Sequence, residues 1–377
     1  MELSVKEVVS KKELKTFIRL PAKIHKGHSN WLPNLYTDEW KLFSKDKNAS
    51  FKHCDTILLI AYRGKKPVGR IMGIVPHKYN VIHKLNTVRF AFMECIDDES
   101  VFGELINAIE EWGAERKCDQ IIGPMGFSDK DPQGFVIKGF DAPTMMVTNC
   151  NYPYMVEYVS QFNYQPHVDL CQYEVPLTTK LITRYKPLAQ RVEKYNSITV
   201  HEFKSIRSIK PFIPSVFRLI NETYKNIYGF SALSDQEVHE FANRYLPLLN
   251  PHLIKIITGA DGEVVAFVIA MADLSEGIRK SKGYLFPSGW YHILKANRSS
   301  KRLVLLLGAI SEDRRNKGLD AILGYRLIKS ALKSGFTSMD SHLIMRDNYK
   351  MRREIERLDN HHLYKEYRIF QKALTSE

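Results

Sequence analysis

The stretch from Leu303 to Asp320 reads Leu-Val-Leu-Leu-Leu-Gly-Ala-Ile-Ser-Glu-Asp-Arg-Arg-Asn-Lys-Gly-Leu-Asp. An apolar strand runs into a short polar loop holding Arg314, Arg315, Lys317 and Gly318, and a helix starts at once. Free N–H groups at a helix start, backed by the helix dipole, make a site for an anion. Gly318 lets a ligand approach the backbone closely. The chemistry that fits is phosphate binding, although a plain strand–loop–helix turn with a solvated basic loop has the same spelling. Metal chemistry has no comparable support. Cys54, Cys95, Cys118, Cys150 and Cys171 stand singly with no Cys-x-x-Cys pair, the pattern of reduced, buried thiols. The 13 histidines form no His-Glu-x-x-His motif, and neither His25-x-x-His28 nor His361-His362 has carboxylates or cysteines at ligand spacing.

The elements around this segment must come from a chain of 377 residues, 44% hydrophobic and 26% charged. That is an ordinary folded composition, and the length predicts two domains rather than one. No apolar run approaches the ~20 residues of a membrane span, and the N-terminal Met1 to Lys6 lacks a signal-peptide core. The expectation is a cytoplasmic protein. Its net charge of +13 is lopsided. Residues 1–176 hold 22 basic and 22 acidic side chains, whereas residues 177–377 hold 33 and 20. An anionic partner for the second half follows: cofactor phosphates, nucleic acid or an acidic membrane surface.

The same order of elements reads twice. Ser4 to Val9 is a strand and Glu13 to Ile24 helical. Thr56 to Tyr62 and Val68 to Val75 form a hairpin, Thr87 to Ile96 a strand, Glu99 to Arg116 an amphipathic helix, and Gln120 to Gly123 begins another strand. In the second half the strand is Ile198 to Phe203, and helices cover Ile209 to Asn226 and Asp235 to Leu249. Leu253 to Thr258 and Val264 to Met271 flank the Ala260-Asp261-Gly262 turn. Arg302 to Ile310 is a strand, Leu319 to Lys333 a helix and Ser338 to Ile344 a strand. Thr178 to Asn196 reads as a polar, basic connector interrupted by Pro187. The plan is a duplicated α/β unit, with halves at 1–176 and 197–377 and a connector at 177–196.

Arg315-Asn316-Lys317-Gly318-Leu319-Asp320 resembles the acyl-CoA-binding motif of the GCN5-related N-acetyltransferase (GNAT) superfamily, Arg/Gln-x-x-Gly-x-Gly/Ala between the fourth strand and third helix. Asp347-Asn348-Tyr349-Lys350-Met351, a helix to Leu358 and the closing strand Leu363 to Lys372 agree with it. The whole is similar to a bacterial family of acetyltransferase-like proteins whose relatives include the bacterial ceramide synthases. The resemblance implies an α/β (α+β) fold of two tandem GNAT-like domains, each a mixed, mostly antiparallel twisted sheet flanked by helices. It implies acetyl-CoA or a longer acyl-CoA as co-substrate and no metal. The cofactor positions it points to are Gly308, Ala309 and Ile310 on the fourth strand, then Arg314, Arg315, Asn316, Lys317, Gly318, Leu319, Asp320 and Asn348. Two departures stand out. Asp320 occupies a Gly/Ala position, and the superfamily's general-acid tyrosine falls on Ile355. The first half departs further: after Ile96 it reads Asp97-Asp98-Glu99 and enters its helix directly, so carboxylates sit where phosphates would. It reads as a degenerate copy.

Acyl transfer from a thioester to an amine needs a base for the amine, donors for the carbonyl and a proton for the leaving thiolate. The candidates for base are Asp340 and His342, then Glu312 and Asp313; Tyr364 and Tyr367 are candidate acids. Asn348 reads equally as a helix cap. Phe286 to Arg298 places Phe286, Trp290, Ile293 and Leu294 on one helical face with Lys295 and Arg298 nearby. That suits an anionic membrane surface, a lid over an acyl chain, or a core helix under the sheet, the last favoured by periodicity.

The function these observations favour is acyl-CoA-dependent transfer of an acetyl or longer acyl group to an amine, the acceptor being a small molecule or a lipid such as a sphingoid-type long-chain base. Peripheral contact with the inner membrane face is compatible with this. Two other readings keep the fold. One is a Fem-like peptidyltransferase using aminoacyl-tRNA, which suits a basic half but leaves the Arg315–Gly318 loop without a purpose and disfavours itself by lacking helical-arm insertions. The other is a non-catalytic acyl-CoA-binding protein.

Overall fold

Alternation along β2 shows how the sheet is built. Leu59 and Ala61 pack toward one helical layer, Leu58 and Ile60 toward the other, the period of two that a sheet covered on both faces requires. The computed structural model describes residues 2–195 and 197–374, so Asn196 of the connector and the last three positions of the second half lie outside the described residues. The first half runs β1 (Leu3–Glu7), α1 (Lys11–Arg19), α2 (Pro21–Ile24), α3 (Tyr36–Leu42), β2 (Cys54–Arg63), β3 (Lys66–Pro76), α4 (His77–His83), β4 (Thr87–Cys95), α5 (Glu99–Glu115), β5 (Gln120–Gly123), β6 (Phe135–Lys138), α6 (Tyr154–Gln161) and β7 (Gln165–Pro176). After α7 (Thr179–Tyr195), the second half runs β8 (Ile198–Glu202), α8 (Ile213–Thr223), α9 (Asp235–Tyr245), β9 (Ile254–Gly259), β10 (Val264–Ala272), α10 (Ser275–Ser281), α11 (Gly289–Ser299), β11 (Arg302–Ile310), α12 (Leu319–Lys333), β12 (Ser338–Met345), α13 (Tyr349–Glu356) and β13 (His362–Ala373).

Among the described residues the strands form one mixed, mostly antiparallel sheet in the order β1-β2-β3-β4-β5-β13-β7-β12-β11-β10-β9-β8, with β6 added beside β13. Each half therefore finishes on a strand that lies inside the other. The last strand of the chain, β13, pairs with β5, and β7 pairs with β12. Helices cover both faces. α5 and α6 pack on one side of the first half, and α7, α12 and α13 on that side of the second; α1, α3, α8, α10 and α11 pack opposite.

Two expectations change. The connector is a helix, α7, despite Pro187 inside it. Leu181 and Ala189 are buried and Tyr185 and Val192 half-buried against α12, and that apolar stripe outweighs the hydrogen bond lost at proline. The aromatic segment is not a core helix. In α11 only one edge, Ile293 and Ala296, is buried; Trp290, Tyr291 and Leu294 face solvent, as do Tyr284 and Phe286 before it.

Candidate active site

The two parallel strand pairs are short. β4 and β5 pair only from Thr87/Gln120 to Arg89/Ile122, and β11 and β12 only from Arg302/Ser338 to Val304/Asp340. Beyond Val304 and Asp340 the second pair separates, helped by a bulge on each strand. On β11 the register against β10 shifts past Leu306. On β12 Ser341 and His342 together oppose the register of β7, and His342 takes a positive φ of 57°, a conformation uncommon outside glycine. The result is a wedge between Leu306–Ile310 on one side and His342–Met345 on the other.

At the apex of the wedge Asp340 is fully buried. Its Oδ1 accepts from Gln172 Nε2 at 2.9 Å and from the His342 backbone N–H at 2.8 Å, and its Oδ2 accepts from the Tyr364 hydroxyl at 2.5 Å. Tyr367 donates to Gln172 Oε1 at 3.1 Å, extending the chain. Burial raises the Asp340 carboxyl, opposed by these donors. Burial lowers His342, whose ring also faces the Met146 carbonyl. Tyr364 is pushed far up by burial and by Asp340, so it stays a protonated donor. Beside them Arg302 pairs with Glu174 at 2.8 Å. The structure thus brings Asp340, His342 and Tyr364 together, with Gln172 and Glu174 supplied by β7 of the first half.

The open edge of β11 carries a residue the sequence did not reveal. The Tyr224 hydroxyl, just past α8, donates to the Gly308 carbonyl at 2.9 Å and accepts from the Gly308 N–H at 3.2 Å. Both Gly308 groups therefore point into the wedge, away from β10. By strand alternation Ile310 shares that direction while Ala309 faces β10, and the next alternate residue, Ser311, does bond Val265 across β10. Of the three expected carbonyl donors, Ala309 is committed to the sheet and Gly308 is held by Tyr224. Burial raises the Tyr224 phenol to about 12.

The loop at the wide end agrees only in part with expectation. α12 begins at Gly318 with no side-chain cap, whereas Asp98 caps α5, accepting from the Ser100 N–H. Asp98 also pairs with Arg63, and Asp97 accepts from Tyr158 at 2.7 Å, so the first half closes its equivalent turn on itself. Arg315, Asn316 and Lys317 are exposed around the α12 start and Arg314 is half-exposed. Asp320 is exposed in the first turn and Leu319 is buried. Gly318 also has a packing role. A Cβ there would meet Val192 of α7 at 2.6 Å, and φ is 81°, so helix packing requires the glycine. Glu312 sits at the surface with Lys225 at 3.8 Å and Arg315 at 3.9 Å, and Asp313 with Arg314 at 3.1 Å. Eight residues of chain, roughly 25 Å if extended, separate Glu312 from Val304 beside Asp340. Asn348 caps α13, accepting from Met351 N–H at 3.2 Å, and Ile355 is buried in the core.

Among the described residues no group of three metal-ligating side chains converges, and no helix is long and apolar enough to cross a membrane. No protein-family model matches the chain. It is similar to the bacterial ceramide synthase of Caulobacter vibrioides, 25% identical across 99% of this chain and 98% of that one. It is likewise similar to protein YghO of Escherichia coli, 26% identical across 98% and 95%. Among solved structures, a tandem GNAT protein from the clavulanic acid biosynthesis pathway superposes over 100% of both chains with a TM-score of 0.58 at 9% identity. The fold is the tandem GNAT fold.

Proposed function

We propose that this chain is an N-acyltransferase that takes its acyl group from a coenzyme A thioester and works in its second half. One contrast carries the reading. The helix after the first parallel strand is capped by its own Asp98, while the helix after the second starts uncapped within an Arg-Arg-Asn-Lys loop. The fold and the full-length similarity to a bacterial ceramide synthase support it. Arg314, Arg315, Lys317 and the first N–H groups of α12 would hold the diphosphate, and the edge of β11 from Leu306 to Ile310 would line the pantetheine arm. The thioester supplies an activated acyl carbonyl. His342, kept neutral by burial, accepts the proton of the incoming ammonium. Asp340 holds the His342 N–H and so the bulge that aims the ring. The Tyr224 hydroxyl, its proton given to the Gly308 carbonyl, holds the open edge of β11 in place on the wedge.

For the acceptor we assign a lipidic amine. Leu306 at the bulge belongs to one apolar cluster with Met145, Met146 and Leu285, and Leu285 leads to exposed Tyr284, Phe286, Trp290 and Tyr291. Lys280, Lys282, Lys295 and Arg298 are exposed around them. Such an aromatic and basic surface suits the headgroup region of an anionic bilayer.

Calorimetric titration with CoA, acetyl-CoA and palmitoyl-CoA, the last below its micelle concentration, tests the donor. Arg315→Ala and Lys317→Ala should each weaken CoA binding about 3- to 10-fold, the net scale of one ordinary hydrogen bond. Asp97→Ala and Asp98→Ala should leave it unchanged. Equal losses at both places overturn the assignment of the working half, and no binding of any donor overturns the reading altogether.

A further inference from the structure

Close to this wedge lies an arginine with one edge of its guanidinium unbonded among the described residues. Arg279 is in α10, and its Nε and Nη2 are shielded from solvent without a hydrogen-bond partner. These two nitrogens form one edge of the guanidinium, the edge whose parallel N–H bonds match two oxygens of a carboxylate or phosphate. One turn earlier on the same helix face, Ser275 is 4% exposed and its hydroxyl is also unpartnered. Two adjacent buried donors left open make a costly arrangement unless something from outside the chain completes it.

The surroundings fix the charge of that partner. Arg279 acts electrostatically on Cys150, as do Lys365 and Glu94. The Lys365 ammonium is bonded to the Ala142 and Pro143 carbonyls. His28, next to Cys150 at 3.9 Å, is driven down to about 4 by burial, His25 and Lys365, so it is neutral at pH 7. The carboxylates nearby are engaged: Glu94 by Arg70 and His25, and Asp340 by its three donors. Glu276, on the same helix, also acts electrostatically with Arg279, but its carboxylate accepts from the Lys280 ammonium at 2.5 Å, so among the described residues no carboxylate bonds the open edge of Arg279. Leu274, just before α10, and Ile278 within it pack in the same cluster as Val304 and Leu306 of β11, which sets the helix against the acceptor side of the wedge.

We propose that Arg279, assisted by Ser275, binds an oxyanion carried by the acceptor amine, a carboxylate or a phosphate. The inference rests on the N-acyltransferase reading and narrows its acceptor to a zwitterionic amphiphile. Acylation is compared for three acceptors: an O-alkyl serine, lysophosphatidylethanolamine, and a 2-alkoxyethylamine of matched chain length that has no oxyanion. The expected result is a KM at least tenfold lower for one oxyanion-bearing acceptor; which one tells carboxylate from phosphate. Arg279→Gln should raise that KM about tenfold with kcat within twofold, and leave the alkoxyethylamine unchanged. Arg279→Lys, which keeps charge but loses the fork, should recover only part of the difference. Absence of discrimination by the unmodified protein overturns the proposal, as does an equal effect of Arg279→Gln on all acceptors. If no amine is acylated, the enzymatic reading fails by itself. Titration with acetate and inorganic phosphate then decides: binding lost in Arg279→Gln supports the site, and absent or equal binding overturns it.

Discussion

His342 sits where two opposing influences meet. Burial lowers its imidazole and the neighbouring Asp340 carboxylate raises it, with burial dominant. A base whose value is depressed is available across the neutral range and lost only in acid. The rate kcat/KM should therefore climb along an acid limb centred below the ordinary histidine value of about 6.5 and then stay flat. Asp340→Asn removes an influence that raises His342, so it should move the limb to lower pH, and His342→Gln should cost about 10²- to 10⁴-fold in kcat. A limb at or above the ordinary value would remove His342 from the base role. At this scale the sequence was readable where residues share a strand or a motif. Asp340, His342 and Tyr364 were found that way, and they meet. Gln172 and Tyr224 were not, because each reaches the wedge from an element distant in sequence and nothing local distinguishes it from an ordinary polar or core side chain.

At the scale of elements, the strand β11 and the helix α12 have the limits read from periodicity, because a continuous apolar strand and a regular helical stripe each admit one reading. α7 was misread, since its proline and basic residues outweighed a stripe of four apolar positions spaced by four and three. What that misreading hid is visible at Gly318, whose lack of a Cβ the packing of α7 also requires. Gly318→Ala should destabilise the protein by about 1–3 kcal/mol, from the positive φ and the overlap with Val192. Gly324→Ala, in the same helix with nothing within 4 Å of the added carbon, should stabilise it by about 0.5–1 kcal/mol. Urea melts of the two variants check the pair; changes of the same sign would contradict this account of α12.

For the whole molecule the duplication was legible and the exchange of closing strands was not, because β7 and β13 have similar patterns and either could complete either half. Since β13 fills the place between β5 and β7, residues 1–176 and 197–377 made separately should be poorly folded and should assemble when produced together. Gel filtration and circular dichroism follow this directly; a monomeric, folded second fragment with undiminished CoA affinity would refute it. The exchange also orders events in time. During synthesis β7 is complete about 190 residues before β13, an interval of roughly ten to forty seconds at ordinary elongation rates. Throughout that interval the nascent chain presents bare strand edges at β5 and β7, the kind that recruit other chains. The vectorial making of this protein thus leaves a seam open at the centre of its sheet, and molecules crowded on one messenger are each other's nearest competitors to fill it.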